Sequence, residues 1–344
     1  MRTIVLTGGG TAGHVLPLIA LLPELKKHYD KIVYIGGAGI EKNIANQNQL
    51  PYYEITTVKL RRKLTLKNLL IPFKLIKGIH QAKKILKELK PDVVFSKGGF
   101  VALPVVFAAS GLGIKVVAHE SDMSLGLANR LTLKKCDTLC TTFPLNLDKK
   151  KYPQIVHTGA ILRRSIYQGN AENIQLPKNG KPNLLVTGGS LGANAINQAI
   201  WSALQTLCEK WNILHITGKG KSNLSYQHAN YLQVEYLDEP QDAFAWADVV
   251  LARAGSGTVS ELLALKKPAL YIPLPRSESR GDQIQNAEFL TKLGVCEVLQ
   301  QEKLDNKNLT RMLDQVLQNR YRYVANCAKQ TWIDGSSKII NYLK

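Results

Sequence analysis

Cysteine is scarce in this chain, and what there is lies scattered. The 344 residues include five (Cys136, Cys140, Cys208, Cys296 and Cys327), an odd number without the paired spacing of a zinc site or a disulfide framework. Free buried thiols in a reducing compartment are expected. Long apolar runs are missing too. The longest, Phe100 to Gly113, contains Pro104 and two glycines and stops before Lys115, short of the ~20 residues a membrane-spanning helix needs. Met1-Arg2 leads straight into a strand pattern with no small-residue cleavage site, so no signal peptide is expected. Acids are sparse in the first half. Residues 1–170 hold 26 Lys and Arg against 10 Asp and Glu, whereas residues 171–344 hold 19 against 16. Of the net +19, nearly all belongs to the first half, which alone calls for an anionic surface or partner.

What is present is a pattern said nearly twice. Val5-Leu6-Thr7-Gly8-Gly9-Gly10-Thr11-Ala12-Gly13-His14 near the start is matched by Leu185-Val186-Thr187-Gly188-Gly189-Ser190-Leu191-Gly192-Ala193. Each is an apolar strand, a glycine-rich turn and a helical pattern, which aims backbone N–H groups and a helix N-terminus at an anion, usually a phosphate. Strand patterns at Thr3–Thr7, Lys31–Ile35, Val93–Ser96, Lys115–His119, Thr138–Thr141 and Gln154–Thr158 alternate with helical ones such as Val15–His28 and Gly78–Leu89. The second half repeats this with strands at Asn183–Thr187, Trp211–Thr217, Val234–Tyr236, Val249–Ala252 and Ala269–Ile272. Such alternation predicts an α/β protein of two Rossmann-like parallel-sheet domains. Turn formers over 160–180 mark the break. The predicted domains are 1–162 and 163–324, with a helical tail at about 325–344 returning to the first.

Gly8 to Gly13 fits G-x-G-x-x-G, but the next strand ends in Ile35-Gly36-Gly37 and lacks the acid that holds a dinucleotide ribose. A phosphate-cradling turn is the favoured reading, over a dinucleotide site or a turn with no ligand. His14, at the helix mouth, is suited to proton transfer near neutrality. A third glycine site, Arg253-Ala254-Gly255-Ser256-Gly257-Thr258, follows an apolar strand and offers N–H and hydroxyl donors at a helix start. Glu261, one turn in, is placed to accept from vicinal ribose hydroxyls. Asp282 to Asn286 sets acid and amide groups at another helix start, suited to sugar hydroxyls, with plain capping by Asp282 as the alternative.

These segments, with Ser96-Lys97-Gly98-Gly99-Phe100-Val101, His119-Glu120-Ser121-Asp122 and Gln283-Ile284-Gln285-Asn286-Ala287, together resemble the MurG family. Its members are membrane-associated transferases that add N-acetylglucosamine to lipid-linked muramyl-pentapeptide in peptidoglycan synthesis. The resemblance covers nearly the whole chain. It implies the GT-B architecture, two lobes facing across a cleft. It implies UDP-N-acetylglucosamine as donor, with Ser190 at its phosphate, Leu237 by the uracil, Ser256, Gly257 and Thr258 as diphosphate donors, Glu261 on the ribose and Gln283 on the sugar. Thr11, Ala12 and Gly13 would reach the donor from the first lobe, with Arg163 and Asp122 nearby. Many members have glycine where this chain has Ala12. Some have asparagine in place of Asp122, which adds a negative charge here. Gly9, Gly10, Gly98 and Gly99 would hold the acceptor diphosphate. His14 is the first candidate for general base and Glu120 the second.

No Asp-x-Asp occurs anywhere, so no metal cofactor is expected for the chemical step. Lys59 to Lys90 holds eleven Lys and Arg, one acid (Glu88) and interleaved Leu, Ile and Phe, with Pro72 interrupting any single helix. That composition suits an anionic membrane surface on the cytoplasmic face of the inner membrane. Nucleic acid is not an expected partner, since aromatics are sparse there and no nucleic-acid motif appears. Cell-wall synthesis proteins are the further expected partners. The rival readings are a GT-B transferase with another lipid acceptor, a UDP-N-acetylglucosamine 2-epimerase and a non-catalytic nucleotide-sugar-binding subunit.

Overall fold

The computed structural model describes residues 1–58, 71–145, 147–148, 150–189, 191–237 and 239–344. It divides into two compact units, Met1–Arg163 with Asp334–Lys344, and Arg164–Ile333. The sequence places the returning tail at about 325–344. Here the first unit takes back only residues from Asp334, and the Arg320–Ala328 helix stays with the second.

The first unit is built on β1 (Thr3–Thr7), β2 (Lys31–Gly36), β3 (Tyr52–Glu54), β4 (Val93–Ser96), β5 (Lys115–Glu120), β6 (Thr138–Thr141) and β7 (Ile155–His157), all parallel, in the order β3-β2-β1-β4-β5-β6-β7. The strands are nearly continuous runs of Val, Ile and Leu because both faces are covered. Ile4 and Leu6 pack into one layer with Leu18, Leu25 and Tyr34. Val5, pointing the other way, packs with Val94, Leu86 and Val105. The helix Ser336–Leu343 closes the first layer through Ile339, Ile340 and Leu343, and Gly335 N–H donates to Ala160 O at 2.8 Å.

The second unit holds β8 (Asn183–Thr187), β9 (Asn212–Ile216), β10 (Tyr231–Val234), β11 (Val249–Ala252), β12 (Ala269–Tyr271) and β13 (Glu297–Val298), parallel in the order β10-β9-β8-β11-β12-β13. Most predicted strands fall within a residue of these. The one expected at Val234–Tyr236 ends at Val234 instead, and the short edge strands β3 and β13 carry no strong sequence pattern. The helix expected over Val15–His28 is broken into short pieces at Leu16–Ala20 and Leu22–Leu25, because Pro17 and Pro23 each restart it. The described part of the basic stretch forms one helix, Ile71–Leu89, and the residues before Pro72 that the expected interruption concerns, 59–70, lie outside the described residues.

In each sheet the chain order reverses between the first strand and its later neighbour, at β1/β4 and at β8/β11. Open parallel sheets bind ligands at such switch points, beyond the carboxyl ends of the strands. All five cysteines are buried and free. Burial pushes the thiols of Cys136, Cys140 and Cys296 up to about 12 and those of Cys208 and Cys327 up to about 11, so they are inert packing groups.

Candidate active site

In the first unit, the turns after β1 and β4 lie against each other. Gly98 and Gly99 have φ of +80° and +77°. A Cβ on Gly99 would stand 2.4 Å from Gly9 O and 3.3 Å from His14 Cδ2, so the close approach needs glycine. The sequence-predicted group Gly9, Gly10, Gly98, Gly99 and His14 is thus brought together. His14 Nδ1 lies 3.1 Å from Lys97 O. A carbonyl only accepts, so Nδ1 carries the proton and Nε2 is the basic nitrogen of the neutral ring. Thr11, Ala12 and Gly13 lie at the surface of a short 3₁₀ turn. Among the described residues, none accepts a hydrogen bond from their N–H groups.

Two expectations need correction. The N–H of Gly10, predicted to hold the acceptor diphosphate, donates to Glu41 Oε2 at 3.2 Å, and Gly37 N–H donates to Glu41 Oε1 at 3.2 Å. Glu41 is 1% exposed, and a Cβ on Gly9 would stand 2.7 Å from its carboxyl carbon. This part of the turn already holds an anion, one of the chain's own. No signal in the sequence singles out Glu41 as that group.

Glu120, the second candidate for general base, is saturated. Its Oε1 accepts from Ser121 N (2.9 Å) and Asp122 N (3.2 Å), and its Oε2 from Gly126 N (2.7 Å) and Asn129 Nδ2 (2.9 Å). A carboxylate has about four acceptor sites, so none remains for a substrate hydroxyl. Glu120 cinches the loop 121–126 and holds Asp122 in place. Beside it lies a residue the sequence reading passed over. Lys97 is 2% exposed and donates from Nζ to Ser121 Oγ. Burial lowers its pKa to about 8, against the opposing charges of Glu120 and Asp122. Arg163 is half-buried and ends the first unit.

In the second unit, the predicted donor residues share the carboxyl edge of the sheet. The Gly188–Ala193 turn follows β8, Leu237 follows β10, and Gly255–Thr258 follows β11. Ser190 lies outside the described residues. Gly255 caps the helix Ser256–Ala264 with extended backbone and no side chain on the N–H groups. Among the described residues, none accepts from the N–H groups of Ser256, Gly257 and Thr258, which is the open start of a helix that receives anions. Glu261 is half-buried one turn in. Gln283 Nε2 lies 3.9 Å from where a Gly255 Cβ would be, and Gln283 Oε1 accepts from Leu274 N at 3.0 Å. The amide oxygen is held by backbone, so Gln283 presents its NH₂ beside the turn.

The neighbours of Gln283 have other tasks. Asn286 is fully buried and donates to Ala254 O at 3.1 Å, bracing the turn from below. Asp282 does not cap its helix: Gly281, at φ +82°, does, and Asp282 pairs with Arg280 at 3.2 Å. Arg253, 8% exposed, donates to Ile272 O (3.0 Å), Pro273 O (3.2 Å) and Gln301 Oε1 (2.6 Å). It ties the end of β11 to the segment leading to Gln283. An open groove of about 740 Å³ elsewhere on this unit, lined by Thr206, Asn306, Arg311 and Asp314 among others, contains none of these residues.

Glycine turns at the switch points of two parallel sheets mark a nucleotide-binding α/β protein. The comparisons agree. The Glycosyltransferase family 28 N-terminal domain matches residues 4–141, and its C-terminal domain matches residues 183–341. The chain is 47% identical over 352 residues, spanning 100% of itself and 99% of the relative, to a Clostridium botulinum (strain Kyoto / Type A2) protein named UDP-N-acetylglucosamine–N-acetylmuramyl-(pentapeptide) pyrophosphoryl-undecaprenol N-acetylglucosamine transferase. Among solved structures it is similar to Acinetobacter baumannii MurG, with a TM-score of 0.80 and 26% identity over 99% of this chain and 98% of that one. A Neisseria meningitidis UDP-GlcNAc 2-epimerase shares the fold alone, with a TM-score of 0.67 and 15% identity over 100% and 99% of the two chains. The chain belongs to the MurG family of glycosyltransferases.

Proposed function

We propose that this protein moves N-acetylglucosamine from UDP-N-acetylglucosamine to the 4-hydroxyl of lipid-linked N-acetylmuramyl-pentapeptide, with inversion at the anomeric carbon. The observation that carries this is the 47% identity along the entire chain to a transferase named for that donor and acceptor. The acceptor hydroxyl attacks the anomeric carbon and its proton passes to Nε2 of His14. The bond from that carbon to the diphosphate oxygen breaks, and UDP takes the electron pair. Its charge falls to the N–H groups of Ser256, Gly257 and Thr258 and to the positive end of their helix. Each such preorganised donor is worth roughly 3 kcal/mol in a dry site. Glu261 accepts from the ribose hydroxyls, Leu237 lies by the uracil, and Gln283 donates to the sugar.

Chemistry of this kind needs no metal. Labelled UDP-N-acetylglucosamine and a short-chain acceptor analogue should give labelled disaccharide, and turnover should persist in excess chelator. Collapse rescued by Mg²⁺ would refute the metal-free step. Sugar-nucleotide turnover without acceptor would favour the epimerase alternative.

The acceptor's lipid calls for a membrane surface. Among the described residues no helix is long and apolar enough to cross one, so the contact is peripheral. On the helix Ile71–Leu89, Phe73 is 72% and Ile76 53% exposed, beside Lys74 and Lys77. Residues 59–70 of the basic stretch lie outside the described residues. The helix Leu127–Thr132 adds exposed Leu127 and Leu131 with Arg130, followed by Lys134 and Lys135. Both helices pack on the buried helix Leu103–Ser110. At about 1 kcal/mol per basic residue near an anionic surface, several together hold the enzyme at the cytoplasmic leaflet, within reach of cell-wall synthesis proteins. Co-sedimentation with vesicles should rise with anionic lipid content, and indifference to it would refute the docking.

A further inference from the structure

A dinucleotide turn of the first unit's form is completed by an acid at the end of the second strand, which takes the ribose hydroxyls. Here β2 runs out in Gly36-Gly37, and the next acid is Glu41. Glu41 sits in the first turn of the helix Ile40–Gln47, just after the N-cap Gly39. Its carboxylate occupies the place where backbone N–H groups would receive a phosphate. Oε2 accepts from Gly10 N–H and Oε1 from Gly37 N–H, each at 3.2 Å, so one carboxylate bridges the turns after β1 and β2. The space is cut to its shape. A Cβ on Gly9 would stand 2.7 Å from the carboxyl carbon, and one on Gly39 would stand 2.6 Å from Oε2. Tyr34 O–H donates to Gly8 O at 2.7 Å and Tyr52 O–H donates to Gly37 O, while the two rings stack with centroids 5.6 Å apart. The tyrosines fix the carbonyls of both turns, and Glu41 itself is 1% exposed. The matching segment of the second unit is opposite in sign. After β9 come Gly218-Lys219-Gly220-Lys221, and no acid occurs over residues 217–234.

We propose that Glu41 is a specificity-determining residue, a built-in anion that closes the first unit's cradle to phosphate groups, so that a nucleotide diphosphate or free pyrophosphate binds in the second unit alone. The inference rests on the reading that UDP-N-acetylglucosamine is the donor and binds in the second unit. A second anion cannot share the N–H groups of Gly10 and Gly37 with the carboxylate, because like charges repel strongly where water is excluded. A chain with a glycine turn in each unit would otherwise offer its donor two cradles, one of them in the unit that takes the acceptor. A nucleotide held there would block transfer.

The test uses the full chain, isotope-labelled at glycine nitrogen, as wild type and as Glu41→Ala. Each protein is saturated with UDP and then titrated with inorganic pyrophosphate while the glycine amide signals are followed by NMR. In the wild type the Gly10 and Gly37 amides should stay in place. In Glu41→Ala both should shift along one saturable curve, with a Kd at least about ten-fold below any found for the wild type. Wild-type shifts that match the variant's would overturn the proposal, as would a variant whose two amides ignore pyrophosphate. If Glu41→Ala does not fold, the wild type decides by itself: unmoved Gly10 and Gly37 amides support the proposal, and a saturable shift overturns it. UDP that moves no glycine amide of the second unit would refute the donor reading instead. Glu41 would then be judged by the same two signals with pyrophosphate alone.

Discussion

The two units use their glycine turns differently. In the first, the glycine turn after β1 is folded around an internal anion: Glu41 takes the N–H groups of Gly10 and Gly37, and Gly99 presses on Gly9 and His14. In the second, the turn after β11 is braced from below by Asn286 and by Arg253, and none of the described residues accepts from its first-turn N–H groups. A strand, glycines and a helix start therefore encode either a scaffold that aims a side chain or a socket that receives an anion. The difference lies in whether a buried acid from elsewhere fills the turn.

The largest effect should come from removing what the first turn aims. His14→Ala should lower kcat by about 10²–10⁴-fold, the ordinary worth of a general base, with the KM for UDP-N-acetylglucosamine nearly unchanged. Near-normal turnover at saturating substrates would take His14 out of the chemistry.

The next contrast sets two glycines against each other. Gly99→Ala puts a Cβ 2.4 Å from Gly9 O at φ +77°. Strain of about 1–3 kcal/mol and a displaced His14 should follow, with a loss of kcat on the order of 10²-fold from misplacement. Gly257→Ala meets nothing within 4 Å and lies in a helix. It should leave the fold intact or stabilise it by about 0.5–1 kcal/mol, while raising the KM for UDP-N-acetylglucosamine if its N–H face holds phosphate. Thermal midpoints and steady-state kinetics of the two variants check both halves. Equal behaviour would erase the distinction between scaffold and socket.

A smaller loss is expected at the internal anion. Glu41→Gln turns one acceptor into a donor facing an N–H, which costs about 1–3 kcal/mol. The thermal midpoint should drop by several degrees with acceptor KM unchanged. If acceptor KM rose instead, the first turn would be a socket after all.

Much of this was legible in the sequence because it is local. Val, Ile and Leu runs followed by glycine mark β1, β4, β8 and β11 within a residue, and the grouping of His14 with Gly98-Gly99, or of Gln283 with Gly255, follows from strand-end positions in a parallel sheet. What stayed hidden depends on contacts across distant segments. Glu41 reaches Gly10 over 31 residues and Lys97 reaches Ser121 over 24. Nothing in the spacing of Glu120 announces that three backbone N–H groups of the loop after it and the Asn129 amide will use up its oxygens. Charge counted along the chain shows the first unit to be basic but does not show which lysine is inside.

A last contrast compares a buried histidine in each unit. In the second, donors run one way: Trp201 Nε1–H to Tyr231 Oη (2.9 Å), Tyr231 O–H to His215 Nδ1 (2.8 Å), His215 Nε2–H to Asn197 Oδ1 (3.0 Å), and Asn197 Nδ2–H to Thr217 O (2.9 Å). This chain admits only the neutral ring, and burial lowers His215 to about 3. In the first, His119 donates from Nε2 to Gly159 O at 3.1 Å, and burial beside Lys97 holds it well below its ordinary value. A depressed folded pKa gives stability that is present above the unfolded value of about 6.5 and is lost as pH falls toward the folded one. For His215 the window runs from about 6.5 down to about 3, at no more than ~1.4 kcal/mol per pH unit. Urea midpoints of the full chain between pH 7 and pH 4, followed by tryptophan fluorescence, should fall with acid. His215→Gln should flatten that slope even though it lowers the midpoint at pH 7. An unchanged slope would mean that the acid sensitivity does not come from His215.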